Sequence, residues 1–312
     1  MTAEQHRIWA LLVQLHRAAA SAADAVESTM TRRVAAIVER ATELMLQELQ
    51  STPERVTDAA LRSLARIMGE ALDSGTELMV EAAAAAFDLG TGLAISTVSK
   101  FGVVSSQKLT AIANALDETF RPELLSAGRA RWYGRLRDEV MQPQSALMNA
   151  LIEARVRGRS LNEAAAILLE NDPDLSSLPS VSRRISVEAR ARAIVRSESN
   201  QILNTAGVLF NEQAGIRRFA NMGIGDDRQA DTCWVAALAK PMRLNEWATY
   251  EDGGLTRPVP WQKRVKERFV PKQFIGPAGR HPNCRCHMVG VFTGFQPSRE
   301  LMERAGLIPA AA

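Results

Sequence analysis

Along the first third of the chain, apolar residues recur at steps of three and four. Trp9, Leu12, Val13 and Leu15 open a stripe. Val34, Ile37, Val38, Ala41, Leu44, Met45 and Leu49 continue it with the period of one helix face. Thr52-Pro53-Glu54 reads as a fresh helix start, with a hydroxyl cap followed by proline at the first helical position. The spacing predicts a second helix to about Leu72 and a third from about Thr76, whose end Gly90, Gly92 and Gly102 leave open. Arg121-Pro122-Glu123 reads as another break. Leu124 to Leu169 reads as two more helices, the second opened by the capping box Ser160-Leu161-Asn162-Glu163.

The texture then changes. Asn171-Asp172-Pro173-Asp174 and Ser176-Ser177-Leu178-Pro179-Ser180 form a polar, proline-bearing linker, which places a domain boundary there. Residues 182–214 read as one further helix, carrying Ile185, Val187, Ile194, Val195, Ile202, Leu203 and Leu209, with Gly215 as its stop. Beyond it the helical period disappears. Eleven of the 19 Gly and eight of the 13 Pro lie from residue 181 onward, which implies short strands, turns and loops. Residues 216–220 and 287–292 are the best strand candidates. The expected fold is α+β and predominantly helical: a helical region over 1–180, a small mixed domain over 185–295 and a tail over 296–312.

Composition agrees with this division. Of 312 residues 46% are hydrophobic and 23% charged, enough apolar material for a core and too much for disorder. Only 5% are aromatic, and alanine is abundant, which favours helix over sheet. The net charge of +3 hides an asymmetry. Residues 1–180 carry 18 Lys and Arg against 23 Asp and Glu, a net of −5; residues 181–312 carry 20 against 12, a net of +8. The two parts are therefore expected to meet different partners, and only the basic one suits phosphate or an acidic surface. The polar start Met1-Thr2-Ala3-Glu4-Gln5-His6-Arg7 is no secretory signal, so a cytoplasmic protein is expected. The most lipid-like stretch, Ala82 to Val98, is rich in small residues and broken by Asp88, so a buried core helix is expected and not a membrane span.

All three cysteines lie in the basic part, at Cys233, Cys284 and Cys286. His281-Pro282-Asn283-Cys284-Arg285-Cys286-His287 packs four soft ligands into seven residues. Zinc takes thiolate and imidazole in a tetrahedron, and H-x-x-C-x-C can supply three ligands from one loop. Cys233 would arrive from a distant loop as the fourth, with His287 as the alternative ligand. Two other readings stand beside a structural zinc. The thiols could simply pack in a cytosolic loop, or Cys284, beside Arg285, His281 and His287, could serve as a nucleophile. His6 and His16, ten residues apart in the first helix, read as surface or interface residues.

The run Arg196-Ser197-Glu198, then Asn200 and Asn204, resembles the helix that opens the head-morphogenesis domain of tailed phages, typified by the F protein of phage Mu. The order that follows is similar: a short strand at 216–221, an acidic turn Asp226-Asp227-Arg228, Cys233, a small-residue turn Ala239-Lys240-Pro241, and the closing His281-Pro282-Asn283-Cys284-Arg285-Cys286. The resemblance covers about residues 185–295. One position departs from it: the second cysteine that family members often carry three residues after the first is Ala236 here.

The resemblance implies a structural minor head protein, without catalysis, that associates with the portal and with scaffold or major capsid protein during assembly in the host cytoplasm. Such proteins then reside in the virion and in some cases leave with the DNA. An insertion at Thr249 to Phe274 carries Arg257, Lys263, Arg264, Lys266, Arg268 and Lys272 among Trp261, Phe269 and Phe274. Basic residues interleaved with aromatics suit single-stranded nucleic acid, so DNA contact through 249–274 is the alternative reading. A third is a cysteine- or metal-dependent enzyme. Glu198, Asp226, Asp227 and Asp231 could be drawn as a metal-dependent site, but they read more simply as a paired helix residue and a turn.

Overall fold

The computed structural model describes residues 3–51, 56–102, 104–160, 163, 187–222, 247–249, 273–275 and 287–291. The fold is α+β and predominantly helical. In chain order the elements are α1 (Ala3–Ser51), α2 (Asp58–Phe101), α3 (Ser106–Ala115), α4 (Arg121–Arg135), α5 (Gln142–Val156) and α6 (Val187–Gln213). The strands are β1 (Arg218–Met222), β2 (Trp247–Thr249), β3 (Gln273–Ile275) and β4 (His287–Val291). Residues 171–180, where the sequence places a domain boundary, lie outside the described residues.

Contacts divide the chain into two compact units built from separate stretches. One comprises residues 1–27, 82–125 and 196–312; the other comprises 28–81 and 126–195. In the first, Leu12, Phe87, Val98, Phe210, Phe219 and Val289 are buried; in the second, Met45, Leu64, Met79, Trp132, Leu151 and Ile194. The stripe read along α1 supplies both cores, with Leu12 and Val13 in one and Val34, Val38, Ala41 and Met45 in the other.

One expected helix start and two expected helix breaks are corrected. The second helix starts at Asp58, later than Thr52-Pro53, which lie outside the described residues. Its cap is Thr57, whose hydroxyl accepts from the Ala60 amide at 3.1 Å. The chain does not break between Leu72 and Thr76, because α2 runs on to Phe101. Thr76 donates its hydroxyl to the Leu72 carbonyl at 2.7 Å, and Gly75 leaves room for Leu136. Gly102, at φ +65°, ends α2 in the left-handed conformation that suits glycine.

Nor does Pro122 end a helix. Residues 116–120 form a single π turn that joins α3 to α4, and Arg121 N–H bonds the Leu116 carbonyl five residues back. This wide turn absorbs the amide that Pro122 lacks. A second π turn at 136–140 closes with Met141 N–H donating to Leu136 at 2.8 Å, and Pro143 then sits in the first turn of α5.

Other expectations hold. The Ser160–Glu163 capping box is reciprocal: Glu163 N–H donates to the Ser160 hydroxyl at 3.3 Å, and Glu163 Oε2 accepts from Ser160 N–H at 2.7 Å. The backbone N–H of Ser160, then its hydroxyl, hold the Glu163 carboxyl below the usual carboxylate range. Gly215, at φ +88°, stops α6. The two strand candidates are β1 and β4, and they pair with each other antiparallel, with Met222 opposite His287 and Arg218 opposite Val291. The apolar stretch 82–98 lies in α2, where Ala82, Ala83, Ala86, Phe87, Ala94 and Val98 are buried in the protein's own core.

Candidate functional site

Within the first unit, α6 carries a buried polar stripe. Arg196, Asn200, Asn204, Gly207 and Asn211 follow one another at steps of three and four, so they share a face. Two asparagine amides bond back one turn, Asn204 Nδ2 to the Asn200 carbonyl at 2.8 Å and Asn211 Nδ2 to the Gly207 carbonyl at 2.6 Å. With their nitrogens committed to the helix, their oxygens are left to face β4. Asn204 Oδ1 accepts from the Met288 amide at 2.7 Å, and Asn211 Oδ1 lies where a Cβ on Gly290 would overlap it. Every residue of β4 is buried. The strand therefore runs between β1, which it pairs with, and the asparagine face of α6.

Arg196 is bound to Glu27 on α1. Its Nε and Nη2 donate to the two carboxylate oxygens at 2.5 and 2.6 Å, a bidentate pair with side-chain exposures of 16% and 7%. Three turns of helix earlier on α1 (toward its N-terminus) stands His16, fully buried. Its Nδ1 lies 3.0 Å from Nδ1 of His287, with ring centroids 4.4 Å apart and planes at 78°. A cleft of about 20 Å³ adjoins the pair, lined by Ala20, Ala23, Asp24, Glu27, Arg196, Ser199, Asn200 and His287. That is room for about one water. Among the described residues, the buried Ser199 hydroxyl on its wall has no hydrogen-bond partner.

His16 is a correction. The sequence reads it as a surface or interface residue, and it lies buried in the core against β4. The signal was in the phase of the stripe, since His16 follows Leu12 by four and Val13 by three and so belongs to the apolar face. Glu27, seven residues after the buried Ala20, shares that phase and was also missed.

Of the expected metal ligands, His287 is in this site, while Cys233, His281, Cys284 and Cys286 lie outside the described residues. So do Asp226, Asp227 and Asp231, and the side chain of His6. Glu198 is buried in α6. Among the described residues no group of three or more His, Cys, Asp or Glu is placed to hold a metal. The basic insertion is described only at its ends, where β2 and β3 pair antiparallel, Trp247 opposite Ile275 and Thr249 opposite Gln273, and so close its base.

No family model matches the sequence, no curated protein matches it, and no solved structure matches the fold.

Proposed function

We propose that this chain is a structural minor head protein of a tailed phage, associated with the portal and acting in capsid assembly. The observation that carries the reading is the bond between Asn204 Oδ1 and the Met288 amide. The helix motif and the closing His281–Cys286 signature, on which the resemblance rests, are some 80 residues apart in sequence. The strand that directly follows the signature is clamped by the last asparagine of the helix motif. Two of the motif residues have structural tasks: Arg196 holds Glu27, and Asn204 holds β4. A mechanical part is what this supports. Its partners are the portal and scaffold or major capsid protein, its place is the virion after assembly in the host cytoplasm, and a structural zinc belongs to the same reading.

The test is quantitative mass spectrometry of density-gradient-purified procapsids and virions, set against the soluble lysate. Enrichment in particles at low copy relative to the major capsid protein is expected. Absence from both particle types would overturn the reading. A protein present in virions and retained on DNA in a salt-sensitive way would favour the nucleic-acid alternative through 249–274.

A further inference from the structure

We propose that His16 and His287 together ligate one divalent transition-metal ion of the zinc class, joining α1 to β4. Two imidazoles 271 residues apart in sequence are brought into the core with their Nδ1 atoms facing each other at 3.0 Å. Two zinc–nitrogen bonds of about 2.0–2.1 Å at a tetrahedral angle set their nitrogens roughly 3.3 Å apart, so the observed spacing needs only a small opening. A hydrogen bond between the rings fits the distance as well. It does not account for the company the pair keeps.

His287 is the peptide neighbour of Cys286 and lies three residues from Cys284, so the strand that delivers one imidazole follows directly on two soft donors. The pair also has an approach on the His287 side, because a cleft lined by residues of α1 and α6 reaches that imidazole. An entry path is one thing a metal site needs beyond the ligands themselves. Only the two imidazoles are assigned; water or thiolate completes the shell. His16 would thus be a ligand supplied by the first helix, far outside the segment where sequence spacing locates the metal. The proposal rests on the structural-zinc part of the reading above and leaves its virion part untouched.

The test uses the full chain, stripped with chelator and titrated with cobalt(II) as a visible probe. One cobalt per chain with ligand-field absorption is expected. His16→Gln and His287→Gln should each weaken binding by about tenfold or more, with the metal-free circular dichroism unchanged. No binding by the unmutated chain would overturn both this proposal and the structural zinc. If Cys284→Ser abolishes binding while His16→Gln binds as tightly as the unmutated chain, the zinc stands and His16 falls. Should the His16 and His287 variants fail to fold, zinc-edge X-ray absorption on a zinc-loaded His281→Gln chain counts the remaining imidazoles directly. Two or more support the assignment, and fewer overturn it.

Discussion

Glu27 and Arg196 illustrate how a buried charge constrains its partner. Their bidentate contact replaces much of two hydration shells, and removing either group takes from the other its bidentate counter-charge in a largely buried setting. Arg196→Met is therefore expected to destabilise the protein by about 3–5 kcal/mol. Adding Glu27→Leu, which removes the stranded carboxylate, should recover most of that loss. A double-mutant cycle in urea measures both. An Arg196→Met variant within about 0.5 kcal/mol of the unmutated chain would show that the pair matters less than its burial implies. At this scale the sequence was only partly legible. Arg196, Asn200 and Asn204 stood out as a motif, but nothing local names Glu27 or His287's neighbour His16 as their partners, because those contacts span 169 and 271 residues.

Helix boundaries were legible where a local interaction decides them and illegible where packing does. The Ser160–Glu163 box, the Gly215 stop and the β1 and β4 strands all follow from neighbouring residues or from period. Asp73-Ser74-Gly75 looks like a break, yet α2 continues because its flanks, Leu72 and Leu78, are both buried. Gly90 and Gly92, two residues apart on that same helix, show the difference most sharply. A Cβ on Gly90 would overlap the Leu203 carbonyl of α6, whereas one on Gly92 meets nothing within 4 Å. Gly90→Ala should then force the two helices apart and lower stability by about 1–3 kcal/mol. Gly92→Ala should raise it by up to about 1 kcal/mol through helix propensity alone. Thermal melting of the two variants side by side tests this, and equal shifts would mean that the close approach of α2 and α6 is not maintained in solution.

For the whole molecule, the stretch that carries the resemblance shares its compact unit with the N-terminal helices. The unit that contains α6 from Arg196 onward and the β1–β4 pair also draws on residues 1–27 and 82–125. His16 and Glu27 face α6 and β4 from the first of these, and Gly90 meets Leu203 from the second. A fragment of residues 185–312 would lack Glu27, which holds Arg196, His16, which meets His287, and Gly90, which Leu203 approaches. Burial of apolar surface is the main favourable term in folding, and the fragment loses a large share of it. We expect the isolated fragment to show no cooperative thermal transition by circular dichroism, while the full chain melts cooperatively. The same fragment mixed with a second one covering residues 1–125 should regain helicity and a transition, because the missing partners are then present in trans. A sharp, independent melt of 185–312 alone would instead mean that α1 and α2 are accessories to a domain that folds without them.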